Sequence, residues 1–245
     1  MAILSVRGLS KHFPGVTALN QVDFELEQGE VHALVGENGA GKSTLIKILA
    51  GVYMPDAGEI RLRGEGFSPK SPKESQDQGI SVIHQELQLV PGLNVVENIF
   101  LGRQPLKNKL GFIDWKEMRK KTERLFATLD ISLNLKVPVA RLSIAHQQVV
   151  AIAKALSYDA QILVMDEPTS TLADEEIDSL FDLLRNLRSV GVSIIYVSHR
   201  LNELKEIADR VTVLRDGQYI GTRHITETTI DEVIHMMVGR RVHIQ

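Results

Sequence analysis

One eight-residue segment restricts what this chain can fold into more than any other. It follows an apolar run, Val31–Val35, and the apolar spacing after it is that of a helix. The segment matches the pattern G-x-x-x-x-G-K-S and reads Gly36-Glu37-Asn38-Gly39-Ala40-Gly41-Lys42-Ser43. Glycines let successive backbone N–H groups point at one anion, and a helix N-terminus adds partial positive charge there. We therefore predict a phosphate-binding loop; the alternative is a glycine-rich strand-to-helix turn without a ligand.

The chemistry of such a loop assigns a role to each residue type. Lys42 would bridge the outer phosphates of a nucleotide, and the hydroxyl of Ser43 would bind Mg²⁺. The predicted nucleotide contacts are Gly36, Glu37, Asn38, Gly39, Ala40, Gly41, Lys42, Ser43 and Thr44.

Two carboxylates follow a second apolar strand, Ile162–Met165. We expect this strand to lie beside the strand that enters the phosphate loop. Asp166 would then hold the Mg²⁺ shell, and Glu167 would orient or deprotonate an attacking water. The alternative is a pair of exposed acids at a strand end. The phosphate loop in the same chain favours the catalytic interpretation.

The pattern of apolar residues predicts an α/β fold. Val22, Phe24 and Leu26 alternate with polar residues, which is typical of a half-buried strand and indicates a separate antiparallel layer. In the last third, buried strands alternate with helices, which indicates a mainly parallel sheet. The predicted fold class is a P-loop NTPase with a RecA-like mainly parallel sheet, an antiparallel β subdomain and an α-helical subdomain.

The middle of the chain, about residues 71–156, is predicted to be more helical. Asp114 is the expected N-cap of one helix, with Glu117 at the capping-box position. The charged run Lys116–Arg124 is interpreted as the solvated face of this helix rather than as a patch for an anionic partner. Its apolar face is predicted to contain Trp115, Met118, Leu125, Phe126 and Leu129.

Composition excludes several classes of function. The net charge is −3, from 28 basic and 31 acidic residues, so no nucleic-acid partner is expected on electrostatic grounds. The absence of cysteine excludes disulfides and thiolate metal sites. No apolar run approaches the roughly 18 residues of a membrane span, so a role at a membrane would require a partner.

Six segments, in order, resemble one known family. On these residues the chain resembles, along essentially its whole length, the nucleotide-binding subunit of ABC transporters. Within that family it is most similar to the N-terminal half of the ATPases of bacterial monosaccharide importers of the ribose, galactose and xylose type. The segments are His12–Leu19, the phosphate loop, Val82–Leu87, Leu142–Gln148, Met165–Ser170 and Val197–Arg200.

The resemblance implies roles for three further residues. Phe13 matches the aromatic residue that stacks on adenine, although a core or strand-edge phenylalanine is the alternative. Gln85 matches a loop glutamine that reaches Mg²⁺ and water, and a solvated glutamine is its alternative. His199 matches a histidine that contacts the γ-phosphate, where a structural histidine is the alternative. The implied catalytic set is Glu167, His199 and Gln85, and the implied metal set is Ser43, Gln85 and Asp166.

The resemblance also identifies a signature segment that, in the family, contacts ATP bound to an opposite domain. Two domains thus face each other head to tail and share each site. Here Ile144 and Ala145 replace the usual glycines, and a branched side chain should obstruct close approach to a phosphate. Ala173 stands where many members have Asp. The predicted signature residues are Leu142, Ser143, Ile144, Ala145, His146 and Gln147.

Together these features predict the ATP-binding and ATP-hydrolysing motor domain of a bacterial importer for a monosaccharide or similar small polar solute. The implied cofactors are ATP and Mg²⁺. The implied partners are a second ABC ATPase domain, membrane permease subunits and, indirectly, a periplasmic or extracellular solute-binding protein. The expected location is cytoplasmic, on the inner face of the cell membrane.

We expect residues 1–245 to form one ATPase domain, the N-terminal half of a longer two-domain protein, with a helical subdomain inserted at about 87–158. The apolar stretch Leu87–Leu101 is either part of a permease contact or the core of that subdomain. Two other functions stay open: a soluble ABC-type ATPase not linked to transport, and a regulatory nucleotide-binding module with little turnover.

Overall fold

The computed structural model describes residues 2–107 and 111–239. In these ranges the strands are β1 (Ala2–Phe13), β2 (Val16–Glu27), β3 (Val31–Val35), β4 (Ala57–Leu62), β5 (Glu65–Gly66), β6 (Ile80–Ile83), β7 (Ile162–Asp166), β8 (Ser193–Val197), β9 (Arg210–Arg215) and β10 (Gln218–His224). The helices are α1 (Lys42–Leu49), α2 (Pro72–Asp77), α3 (Val95–Ile99), α4 (Trp115–Thr128), α5 (Ile144–Leu156), α6 (Asp174–Ser189), α7 (Leu201–Ile207) and α8 (Ile230–Val238).

The central sheet has the strand order β10-β9-β3-β8-β7-β6. The strands from β9 to β6 in this order pair in parallel, and β10 pairs antiparallel with β9. Such short strands, buried on both sides, are typical of a parallel sheet covered by helices on both faces. The predicted P-loop NTPase fold with a mainly parallel sheet is confirmed.

The expected neighbour of the phosphate-loop strand is wrong. The strand β8, not β7, pairs with β3, and β7 pairs with the other edge of β8. Val197 of β8 is in register with Leu34 on one side and Asp166 on the other. Every residue of β3 and β8 is buried. An apolar run of this kind shows that a strand is internal, but it carries no information about which strands flank it.

The antiparallel layer is a second sheet with the order β2-β1-β4-β5. Val22, Phe24 and Leu26 of β2 are buried, as their alternation predicts. One apolar cluster joins them to Leu45 of α1 and to Leu34 of β3. The helix that follows the phosphate loop is therefore held against both sheets.

The opposite face of the central sheet is covered by helices. Ala33 and Val35 of β3 belong to a second cluster that includes Leu180 and Leu184 of α6. Ala33 and Val35 stand on either side of Leu34 in β3. Their side chains point to the face opposite Leu34, because successive side chains of a strand alternate between the two faces of the sheet. The sheet thus separates two apolar layers, and its strand ends are left for polar residues.

The helices α3, α4 and α5 lie in the chain between β6 and β7 and share an apolar cluster of their own. Val95 and Ile99 are completely buried in it, which favours the core interpretation of the stretch from Leu87 to Leu101. Val90, in contrast, is 40% exposed. The strand β6 stands just before these helices, in a stretch that the apolar pattern predicts to be mostly helical.

The helix α4 begins at the predicted cap, because the side chain of Asp114 accepts a hydrogen bond of 2.9 Å from the backbone N–H of Glu117. Its charged face is exposed and carries the ion pairs Arg119–Glu123 and Lys121–Glu117. The prediction that Trp115 lies on the apolar face of α4 is wrong, since this residue is 54% exposed. It is the first residue of α4, so no preceding turn supports it. No helix in residues 2–107 and 111–239 is long and apolar enough to cross a bilayer.

Candidate functional site

The carboxyl ends of the parallel strands bring most of the predicted site residues to one edge of the sheet. The phosphate loop follows β3, Gln85 follows β6, Asp166 and Glu167 stand at the end of β7, and His199 follows β8. Parallel strands end at the same edge, which is where open α/β sheets bind ligands. Residues that are far apart in sequence are therefore adjacent here.

Two glycines of the phosphate loop cannot be replaced without moving backbone. A Cβ atom on Gly36 would lie 2.3 Å from the carbonyl oxygen of Leu214 in β9. Gly41 has a φ of +103°, and a Cβ there would lie 2.7 Å from the carbonyl oxygen of Ala18. The loop is therefore held closely by β9 and by the start of β2.

The side chain of Lys42, the first residue of α1, folds back over the loop. Its Nζ atom donates hydrogen bonds to the carbonyl oxygens of Gly36 at 2.7 Å and Glu37 at 3.1 Å. Ser43 is exposed beside it. The ammonium group and the free N–H groups of the first helical turn provide positive charge at one place, as an anion site requires.

Opposite charges face this ammonium group from the end of β7. Burial lowers the pKa of Lys42, while Glu167 and Asp166 act to raise it. Burial, reinforced by the neighbouring charge of Glu167, raises the pKa of Asp166. The phosphate loop and the two acids therefore interact electrostatically even though β8 separates their strands.

Glu167 and His199 form a direct contact. The Nδ1 atom of His199 lies 2.9 Å from Oε1 of Glu167. The backbone N–H of Glu167 donates to the carbonyl oxygen of Val197 at 2.9 Å. Glu167 has a φ of +51°, in the left-handed region that few residues other than glycine adopt. The fold thus places a strained acid against an imidazole beside the phosphate loop.

Gln85 reaches the segment that follows β7. Its Nε2 atom donates a hydrogen bond of 3.3 Å to Oγ of Ser170, three residues after Glu167. The side chain is exposed, so it is available to a ligand as well as to the loop. Sequence reasoning does not identify Ser170 as a contact of Gln85.

Phe13 lies at the end of β1, outside the apolar clusters. Its ring is half-buried and meets the ring of Tyr53 edge to face, with centroids 5.2 Å apart. The Nζ atom of Lys11 lies 5.6 Å from the centroid of the Phe13 ring. A partly exposed aromatic ring with a cation nearby suits a stacking surface. The contact between Phe13 and Tyr53 could not be predicted, because no sequence motif identifies Tyr53.

The signature residues cap the start of α5. Ser143 Oγ accepts from the backbone N–H of His146 at 3.3 Å, and His146 Nδ1 lies 3.2 Å from the same oxygen. Gln147 donates through Nε2 to the carbonyl oxygen of Leu142 at 3.1 Å. Ile144 is 44% exposed. In the described ranges no hydrogen bond or ion pair joins these residues to the phosphate loop.

The predicted metal ligands have suitable chemistry for Mg²⁺. The hydroxyl of Ser43, the amide of Gln85 and the carboxylate of Asp166 all offer oxygen atoms, which this cation prefers. Asp166 is half-buried beside Lys42 and Glu167, so a bound cation would favour its ionised form. These three side chains could therefore hold Mg²⁺ together with phosphate oxygens and water.

Comparison with known proteins identifies the family. A family described as "ABC transporter" matches residues 19–170, which include the phosphate loop, Gln85, the signature, Asp166 and Glu167. This chain belongs to the ABC transporter family. The match covers more than half of this ABC cassette and contains the ends of β3, β6 and β7, whereas the end of β8 with His199 lies outside it.

The cassette is similar to curated proteins of sugar uptake. It is 53% identical over 240 residues to a "putative ribose/galactose/methyl galactoside import ATP-binding protein 2" of Rhizobium meliloti, covering 98% of the cassette and 47% of that protein. It is 52% identical over 241 residues to a "ribose import ATP-binding protein" of Hahella chejuensis, covering 98% and 48%. The cassette therefore spans about half the length of these relatives.

Solved structures confirm the architecture. The cassette matches the ADP conformation of an ATP-binding cassette of an ABC transporter with a TM-score of 0.84 at 26% identity. The alignment covers 98% of the cassette and 100% of that chain. A nucleotide-free cassette matches with a TM-score of 0.83 at 25% identity.

Proposed function

We propose that this cassette binds ATP together with Mg²⁺, hydrolyses it, and so powers a bacterial importer of a monosaccharide or similar small polar solute. One observation carries the proposal. The Glu167–His199 pair, at 2.9 Å, lies at the same sheet edge as the loop closed by Lys42. A phosphate cradle and a paired acid are what the binding and the hydrolysis of a nucleotide require.

The residues of the chain divide the chemistry between them. The loop from Gly36 to Thr44 would hold the phosphates through backbone N–H groups, and Lys42 would leave the carbonyls it now contacts to bind the outer phosphates. Ser43, Gln85 and Asp166 would hold Mg²⁺, which neutralises phosphate charge when bound.

Glu167 would accept a proton from the attacking water, and His199 would orient the γ-phosphate and that water. A neutral imidazole can donate through one ring nitrogen and accept through the other, which suits this position. Phe13 would stack on the adenine ring. The partly exposed ring beside Lys11 supports this role.

The remaining partners follow from the length and names of the relatives. We infer that the cassette is the N-terminal half of a two-domain ATPase and that its signature residues meet nucleotide on the second ATPase domain. Membrane permease subunits and a solute-binding protein would complete the importer, with the cassette on the cytoplasmic face of the membrane. The exposed Ile144 at the start of α5 supports an unequal pair of sites.

The exposed Ile144 also favours a second candidate function, a regulatory nucleotide-binding module with little turnover. A branched side chain at Ile144 would obstruct the close approach of a phosphate to the backbone at the start of α5. Measuring ATP turnover in the importer assembled from the full-length ATPase and its permease subunits separates the two. Solute-stimulated turnover supports the motor, whereas tight binding without turnover supports the module.

Replacing Lys42 with alanine tests nucleotide binding directly. Lys42→Ala removes the ammonium group above the loop, and we expect calorimetry with Mg²⁺ and ATP to show at least about a tenfold loss of affinity, since charge-assisted hydrogen bonds to phosphate are lost. Lys120→Ala is the control, because Lys120 is exposed on α4. Unchanged affinity in Lys42→Ala would remove the phosphate loop from the proposal.

A further inference from the structure

A buried carboxylate on α7 connects the two loops that carry Glu167 and His199. The side chain of Glu203 is only 8% exposed. Its Oε2 atom accepts three hydrogen bonds from hydroxyl groups: Thr169 at 2.9 Å, Tyr196 at 2.8 Å and Ser198 at 3.1 Å. All three donors are themselves buried.

Two of the three donors, Thr169 and Ser198, lie close in the chain to Glu167 and His199. Thr169 is two residues after Glu167, and the turn between them is closed by a hydrogen bond of 3.2 Å from the N–H of Ser170 to the carbonyl oxygen of Glu167. Ser198 immediately precedes His199. Glu203 therefore touches one residue in each loop, close to the residue that the proposed function needs there.

The loop around His199 is tied on both sides. Ser198 donates its hydroxyl hydrogen to Glu203 and accepts from the backbone N–H of Arg200 at 2.9 Å. His199 lies between these two anchored positions, with its own side chain exposed. The imidazole is thus presented to solvent by a backbone turn that Glu203 holds from the interior.

The hydrogen bonds explain why a carboxylate is present in this interior. Burying a carboxylate costs free energy unless it is paired or hydrogen-bonded. Among described residues Oε1 of Glu203 has no hydrogen-bond partner, and the nearest cationic group is the guanidinium of Arg200 at 3.6 Å. Three hydroxyls converging on one oxygen give strong, directional bonds, and removing the acceptor would leave them unpaired.

We propose that Glu203 is a positioning residue that fixes the loop of Glu167 relative to the loop of His199 and so sets their 2.9 Å contact. The proposal rests on the proposed function of these two residues. Glu167 holds a φ of +51°, and a backbone in that region persists only where its surroundings determine it. The hydrogen bond from Thr169 to Glu203 helps to hold Glu167 in this backbone conformation.

Kinetics of the assembled full-length ATPase test the proposal. We expect Glu203→Ala to lower kcat by about 10–100-fold, the scale of a misplaced catalytic group. KM for ATP should stay within about twofold, because the phosphate loop is untouched. Glu203→Gln keeps the shape and one accepting oxygen, so it should retain intermediate activity. Glu206→Ala is the matched control, since Glu206 is exposed on the same helix.

Two comparisons distinguish positioning from general stabilisation. In a His199→Ala background, Glu203→Ala should lower kcat by less than about threefold, because residues acting through one another are not additive. Tyr196→Phe removes a donor that lies on neither loop, whereas Thr169→Val removes one that does. The proposal would be overturned if the losses of kcat from His199→Ala and Glu203→Ala multiplied in the double variant. It would also be overturned if Tyr196→Phe and Thr169→Val lowered kcat equally.

Amide hydrogen exchange tests the positioning without any turnover. The N–H groups of Glu167 and Arg200 are hydrogen-bonded in the folded chain. Glu203→Ala should speed their exchange by at least about tenfold relative to amides of β3. Unchanged exchange would refute the proposal. If the wild-type protein neither binds nor hydrolyses ATP, the proposed function fails, yet this measurement still decides the role of Glu203.

Discussion

At the scale of single residues, several contacts constrain Glu167 in the candidate site. It combines a positive φ, a contact with His199 and electrostatic coupling to Asp166 and Lys42. Each feature restricts where its carboxylate can be. The amide isostere therefore changes the chemistry of the group while keeping its position.

Glu167→Gln should retain ATP binding and lose turnover by about 10²–10⁴-fold, the usual contribution of a general base. Glutamine can still accept a hydrogen bond from His199 but cannot take a proton from water. The measurement is kcat of the assembled importer together with ATP affinity by calorimetry. Glu175→Gln, at an exposed position of α6, is the control. A wild-type rate would exclude Glu167 from the mechanism.

At the scale of elements, the helix starts in the chain differ in how they are capped. Asp114 and Ser143 accept backbone N–H bonds at the starts of α4 and α5. Ala173, at the start of α6, has no side-chain acceptor, so the N–H of Glu176 donates instead to the carbonyl oxygen of Ala173 at 2.9 Å. The N–H of Ala173 donates to the carboxylate of Glu176 at 3.3 Å. The first turn of α6 therefore lacks the side-chain oxygen that usually accepts a hydrogen bond from a helix N-terminus.

Ala173→Ser should raise the free energy of unfolding by about 0.5–1 kcal/mol, because serine supplies the missing acceptor. Serine is preferable to aspartate, since Asp174, Glu175 and Glu176 already place three acids in this turn. Chemical denaturation measures the difference. Asp114→Ala gives the opposite case and should lose about 1 kcal/mol. A stability of Ala173→Ser equal to that of wild type would show that the backbone bonds to the carbonyl oxygen of Ala173 already satisfy this turn.

At the scale of the whole molecule, a charged cluster at the start of β3 links the two sheets. Glu30 stands between β2 and β3, and Arg210 of β9 donates to it from Nε at 2.6 Å and from a terminal nitrogen at 2.9 Å. The ring of His32 also touches Glu30, with Nδ1 at 3.1 Å from Oε1, and burial lowers the pKa of His32. Val31 donates its N–H to Asp209 beside them.

Acid should destabilise the fold through Glu30. Burial alone would raise the pKa of Glu30, but the hydrogen bonds from Arg210, together with the neighbouring ring of His32, outweigh it and bring the pKa from 4.5 to about 2. The folded state therefore binds this proton less readily than the unfolded state. The stabilisation is complete above about pH 4.5 and is lost as the pH falls towards 2.

Glu30→Gln should cost about 3 kcal/mol at pH 7, as expected for a shift of this size and for breaking a buried ion pair. The difference from wild type should shrink as the pH approaches 2. Denaturation at a series of pH values measures it, with Glu59→Gln in an exposed ion pair as the control. A difference independent of pH would show that packing, not charge, is responsible.

The sequence by itself determined most of the elements and supplied the candidate residues of the site. The phosphate-loop pattern and the alternation in β2 follow from local spacing, and the structure places both as expected. The acids after Ile162–Met165 stand at a strand end as predicted, although that strand does not lie beside β3. Local spacing suffices because turns, caps and strand faces depend on neighbouring residues. Local spacing does not predict the short strand β6, because that strand depends on pairing with β7, which is distant in the chain. It also does not predict the exposure of Trp115, which stands in the first turn of α4.

Only the tertiary structure decided which elements meet. Strands that are apolar on both faces are alike in sequence, so the insertion of β8 between β3 and β7 carries no local signal. That insertion places His199 against Glu167, and it brings Ser198 and Thr169 to Glu203 from segments about 30 residues apart in the chain. Contacts of this kind depend on the register of parallel strands, which long-range packing selects after the local elements have been specified.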